Sequence, residues 1–131
     1  MPLTKEAASL RFGTRRAHRP PRSIGVWLTM LLIEQSIRPA ASSADACQKQ
    51  VEFARALMQK ARLVLLDEPM ASMSTPEKTA MTALIKRVQQ QYGMSFLIVE
   101  HDIPVIMDIS DKIVVLDFGR KIAEGSPTEV Q

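Results

Sequence analysis

Between residues 62 and 131, short apolar runs that end in acid alternate with stretches of helical periodicity, and this alternation restricts the fold more than any other feature. Arg62 to Asp67 carries Leu63, Val64, Leu65 and Leu66, Ser95 to Glu100 reads Ser-Phe-Leu-Ile-Val-Glu, and Lys112 to Asp117 is a third run of similar length. Each is short and apolar enough for a buried strand. Between the first two, Ser74-Thr75-Pro76-Glu77 is a capping-box start with proline in the first turn. A helix is predicted from there to about Gln91, with Gly93 as its stop. Its apolar face is Met81, Leu84, Ile85 and Val88, opposite a solvated back of Lys78 and Gln89-Gln90-Gln91. Asp102 can cap a short helix through Ile109, with Pro104 tolerated in its first turn. Upstream, Gln48 to Lys60 places Val51, Ala54, Arg55 and Met58 at helical spacing with Leu57 beside them, which predicts a one-sided helix. Downstream, Phe118-Gly119 turns into a short run at Lys121 to Ala123, and Ser126-Pro127-Thr128-Glu129 repeats the capping-box signal. Strand, helix, strand, helix, strand predicts an α/β fold with parallel strands and right-handed crossovers.

Residues 1–47 have a different texture. They hold seven Lys/Arg against three Asp/Glu, whereas 48–131 holds ten against eleven, so the net charge of +3 belongs to the first third of the chain. Arg11, Arg15, Arg16, Arg19 and Arg22 cluster with Pro20 and Pro21, ahead of a mostly apolar stretch from Ile24 to Ile33. That stretch is half the roughly 20 residues needed to span a bilayer. A basic start, an apolar stretch and small residues sketch a secretory signal, but the basic region is long for one. The arginines lack the interleaved aromatics of a nucleic-acid module, so no nucleic-acid partner is expected. The expectation is a basic leader over 1–47, disordered or spurious, and one α/β unit over 48–131. The single cysteine, Cys47, excludes an internal disulfide and a Cys-rich zinc site.

Two strand ends carry the candidate chemistry. Leu63-Val64-Leu65-Leu66-Asp67-Glu68-Pro69 delivers two acids to the carboxyl end of a strand, where open α/β sheets place ligands. A carboxylate there can hold Mg²⁺, and the next can orient or deprotonate a water. A strand that merely ends in solvated acids before a proline turn explains this cluster equally well. The trio Glu100-His101-Asp102 ends the next strand, and if the two strands are neighbours His101 emerges beside Asp67 and Glu68. Five scattered glycines, at 13, 25, 93, 119 and 125, form neither G-x-x-x-x-G-K-[ST] nor G-x-G-x-x-G, so neither phosphate loop is present in these 131 residues.

From about Gln48 onward the chain resembles the C-terminal part of an ATP-binding cassette (ABC) transporter ATPase subunit. Gln50-Val51-Glu52-Phe53-Ala54-Arg55-Ala56-Leu57 resembles the helix after the family's signature motif, and Leu63 to Pro69 resembles its Walker B strand. Met70-Ala71-Ser72-Met73-Ser74 occupies the D-loop, and Ile98-Val99-Glu100-His101-Asp102 resembles the switch-histidine segment. Ser110 to Gly125 resembles in particular the ATPase subunits of branched-chain amino acid importers.

The resemblance implies a truncated P-loop NTPase core with parallel strands, lacking the Walker A half and the helical subdomain. It implies ATP and Mg²⁺ as cofactors, with Asp67 as the Mg²⁺-associated carboxylate, Glu68 as general base or water-positioning residue and His101 as γ-phosphate sensor. Ser74 would stand at the D-loop position that contacts a second ATP-binding subunit. Membrane subunits would be the other partners, with the chain peripheral on the cytoplasmic side of a bacterial inner membrane.

The departures weigh against activity. The signature loop falls on Ser43-Ala44-Asp45-Ala46-Cys47, where both glycine positions are replaced, one of them by an acid. Phosphoryl transfer rests on positioning and charge neutralisation, which the Walker A backbone and lysine supply. The chain alone is therefore expected to be inactive, and the strand at 112–117 to face the gap left by a missing Walker A strand. Three explanations fit: the tail of a broken or misread gene, a non-catalytic module docking on an intact cassette subunit, or an ATPase completed by another chain.

Overall fold

A computed structural model describes residues 5–11, 43–59 and 61–131. Its elements in chain order are β1 (Lys5–Arg11), α1 (Ala44–Met58), β2 (Leu63–Asp67), α2 (Thr75–Tyr92), β3 (Ser95–Glu100), α3 (Ile103–Ile109), β4 (Lys112–Asp117), β5 (Arg120–Gly125) and α4 (Pro127–Val130). The expected alternation is present, and β2 pairs with β3 in parallel with Leu63 opposite Ser95 and Asp67 opposite Val99.

The sheet order is β2-β3-β1-β4-β5. The connection through α3 therefore skips one position, and leaves a slot one strand wide between β3 and β4. Open backbone on both sides of such a slot demands a partner. β1 fills it, antiparallel to both neighbours, with Ala8 opposite Val99 on one side and Val114 on the other. This corrects one expectation: β4 does not face a gap, because residues 5–11 form the strand beside it. The Arg15–Arg22 cluster and the Ile24–Ile33 stretch lie outside the described residues. The sheet is mixed: β2, β3 and β4 run one way, while β1 and β5 run the other.

Helices α1, α2 and α3 contribute to one core on one face of the sheet. Phe53, Ala54 and Leu57 of α1, Met81, Leu84, Ile85, Val88 and Tyr92 of α2, and Ile109 of α3 meet Val64, Leu66, Phe96 and Ile98 from β2 and β3. Phe53 lies 5.9 Å from Phe96, centroid to centroid. The expected face of α2 is buried as read, but Gln89 joins it and leaves the solvated back to Gln90 and Gln91. In α1 the buried face is Ala46, Phe53, Ala54 and Leu57, while Val51 and Met58 are exposed. The helix is rotated from the expected face because Phe53 is its largest apolar group and sets the contact with Phe96. It also starts four residues earlier than expected, capped by Ser43, whose hydroxyl accepts the Ala46 N–H at 3.2 Å.

β2 is not buried on both faces. Val64 and Leu66 point into the core, while Leu63 and Leu65 are 50% and 66% exposed on the other. Two glycines are needed for their backbone. Gly93 ends α2 in the left-handed region at φ 62°, and Gly119 (φ 74°) follows Phe118 (φ 45°) in the tight β4–β5 turn.

Candidate functional site

The parallel pairing of β2 and β3 brings their carboxyl ends side by side. Asp67 closes β2 with its side chain exposed, and the Glu68 N–H continues the ladder to the Val99 carbonyl at 2.9 Å. Glu68 then turns sharply, with φ at 43°, a region that costs a non-glycine residue roughly 1–3 kcal/mol. The turn aims its carboxylate at the next strand end: His101 Nδ1 lies 3.4 Å from Glu68 Oε1, with both side chains about half exposed. The structure thus brings Glu68 and His101 together and places Asp67 next to them in the chain.

Beneath this exposed pair is a buried acid. Glu100 is 2% exposed, and its Oε1 accepts the Met70 N–H at 2.9 Å. The turn from Glu68 to Ser74 is otherwise held by two short backbone bonds, Ala71 N–H to Glu68 O and Met73 N–H to Met70 O, and passes a second left-handed residue, Ser72 at φ 62°. Glu100 therefore ties the end of the β3 strand to the turn that follows β2. Sequence reading gave Glu100 no role of its own. The signal was available, since Phe96, Ile98 and Glu100 share a period of two and hence one face of the strand.

Ser74 lies outside this group. It is the N-cap of α2, and its N–H and hydroxyl both donate to Glu77 Oε2 at 2.7 Å. Its donors are thus engaged within the chain. Asp102 caps α3 by accepting the Val105 N–H at 3.3 Å and pairs with Lys78, whose hydrogen bond is the main cause holding the carboxyl below its ordinary range.

The hollow beside Asp67, lined by Lys49, Phe53, Leu65 and Pro69 among others, holds about 160 Å³. Pockets for small-molecule ligands usually measure about 300–1,000 Å³. Lys49 is paired with Glu52 at 3.6 Å and Lys78 with Asp102. No group of three or more His, Cys, Asp or Glu suited to a metal occurs among the described residues. Asp67 can offer Mg²⁺ one oxygen ligand, and the triphosphate finds no unpaired lysine in that hollow.

The chain is similar to known proteins. The BraF ATP-binding protein of high-affinity branched-chain amino acid transport from Pseudomonas aeruginosa is 35% identical over 106 residues, covering 80% of this chain and 42% of that protein. LivG from Escherichia coli K12, with the same description, is 31% identical over the same shares. The spermidine/putrescine import ATP-binding protein PotA from Acidothermus cellulolyticus is 32% identical over 93% of this chain and 33% of its own length. The chain is a homologue of ABC transporter ATP-binding subunits. Its fold agrees: an ATP-binding cassette of an ABC transporter superposes with a TM-score of 0.68 at 24% identity, over 82% of this chain and 44% of the other. A nucleotide-free cassette gives 0.66 at 22%, over 86% and 46%. No protein-family model matches the sequence.

The chain spans less than half the length of these relatives. The 106-residue match is longer than the stretch from Gln48 to Gln131, so similarity extends into the first 47 residues, beyond the resemblance read from about Gln48 onward. No helix among the described residues is long and apolar enough to cross a membrane.

Proposed function

We propose that this chain is part of the ATP-binding subunit of an ABC importer, whose family role is ATP hydrolysis coupled to branched-chain amino acid uptake. The observation that carries the reading is the convergence of Glu68 and His101, 3.4 Å apart, beside Asp67 at one end of a parallel strand pair. In this role Asp67 is the Mg²⁺-associated carboxylate, Glu68 the residue that orients or deprotonates water, and His101 the γ-phosphate sensor. Mg-ATP, when bound, supplies the electrophilic phosphorus and part of the charge neutralisation. Ser74 contributes to contact with a second ATP-binding subunit only after its donors leave Glu77. Membrane subunits complete the assembly, with the chain peripheral on the cytoplasmic face of a bacterial inner membrane.

The chain alone is inactive in this reading, because two carboxylates without a cationic cradle repel a triphosphate. Steady-state Mg-ATP turnover by the purified chain, measured beside Glu68→Gln, tests this. Both proteins are expected to match the buffer blank; turnover lost in the variant would sink the claim of inactivity.

A second reading, a non-catalytic module docking on an intact cassette subunit, is favoured by one feature. β2 is an edge strand among the described residues and leaves Leu63 and Leu65 exposed. Co-purification with an intact subunit such as BraF, lost on Leu65→Lys, is its expected result. Absence of a complex counts against it.

A further inference from the structure

The Glu77 side chain reaches beyond its own helix. Its Oε2 accepts both donors of Ser74 at 2.7 Å, the local arrangement that starts α2. Its Oε1 accepts the Ser43 N–H at 2.6 Å, from a residue 34 positions away. Ser43 is the N-cap of α1. One carboxylate therefore satisfies donors at the amino ends of two helices, where partial positive charge favours an anion.

We propose that Glu77 is a clasp that positions the amino end of α1 against the segment opening α2, and that as an internal anion it occupies a donor open to an external phosphate there. The inference concerns contacts within the chain and holds whether or not the nucleotide reading survives.

Two donors at that end are engaged within the chain. The Ser43 N–H is taken by Glu77 and the Ala46 N–H by the Ser43 hydroxyl. Asp45, in the first turn of α1, adds a second negative charge. A phosphate approaching α1 must displace one carboxylate while repelled by another. The titration of Glu77 agrees with the geometry: its carboxyl is lowered from 4.5 to about 2, first by the Ser43 N–H and then by the Ser74 hydroxyl and N–H, with burial opposing. The Ser43 N–H is the largest single cause holding the charged form.

Residue-resolved amide exchange on the full chain separates a clasp from a cap confined to α2. Glu77→Ala is expected to speed exchange roughly tenfold at both Ser43 and Ser74, the scale of losing a charge-assisted hydrogen bond. Ser74→Ala removes one donor from Oε2 and is expected to leave Ser43 within about twofold of wild type. Acceleration at Ser74 with none at Ser43 in Glu77→Ala overturns the clasp. An acid titration of the wild-type chain followed by NMR decides between the two even if that variant fails to fold. The Ser43 and Ser74 amide protons should shift together with one midpoint near about 2, and a Ser43 resonance that ignores the transition contradicts the proposal. Inorganic pyrophosphate at neutral pH should leave the amides of residues 43–47 unshifted. Saturable shifts there would show that the α1 end is open to anions, against the internal-anion role.

Discussion

Replacing Glu100 by alanine would leave the Met70 N–H, 2.9 Å from Glu100 Oε1 in the native fold, buried and without an acceptor. A stranded buried donor costs about 1–3 kcal/mol, so urea unfolding of Glu100→Ala should show a loss in that range. Glu100→Gln keeps an oxygen at the same reach and should lose less. Equal losses would mean that the bond to Met70 is not what Glu100 contributes. Exposed acids answer to pH instead. Glu124, held by Lys112 and then Lys121, is lowered from 4.5 to about 2. Because its folded value lies below its unfolded one, the stability it adds is complete above about 4.5 and fades as pH falls through about 2. Urea midpoints measured from pH 5 to 2 should fall less steeply for Glu124→Gln than for wild type; parallel curves would contradict the assignment. Asp67, Glu68 and His101 were legible in the sequence because each follows an apolar run that had to be a strand. The reach of Glu77 to Ser43 was not legible, because local spacing reveals the capping box but not a contact 34 positions away.

Among the elements, β1 differs most from expectation. Its sequence, Lys-Glu-Ala-Ala-Ser-Leu-Arg, lacks the β-branched and aromatic residues that mark strands, and nothing in its composition demanded the centre of a sheet. Tertiary demand supplies the reason: α3 spans a slot between β3 and β4, and a third backbone must close it. Proline at Ala8 removes a ladder donor between Val99 and Val114 and should open the sheet from within. The expected outcome for Ala8→Pro is loss of exchange protection in β3 and β4 together, or aggregation in size-exclusion chromatography. Unchanged protection in β4 would mean that β1 does not carry the pairing. β2 and α1 show the complementary limit of sequence reading. Four consecutive apolar residues in β2 signal burial but not on how many faces, and Leu63 and Leu65 stay exposed because α1, α2 and α3 contribute to the core on the opposite one. Periodicity located α1, but the ring of Phe53 against Phe96 decided which face turned inward.

At the scale of the whole molecule, fold and homology agree. The fold superposes on an ATP-binding cassette with a TM-score of 0.68, and relatives at 31–35% identity are named as branched-chain amino acid transport ATP-binding proteins. What these 131 residues lack is a lysine-bearing glycine loop, and the hollow beside Asp67 is about 160 Å³. In the proposed reading, the acidic strand ends stand without a phosphate cradle of their own. Calorimetric titration of Mg-ATP into the purified 131-residue chain, with no partner protein present, tests it most directly. No saturable heat is expected up to roughly millimolar nucleotide, the range in which binding free energy falls to about −4 kcal/mol. A micromolar Kd, weakened by Asp67→Asn, would contradict it.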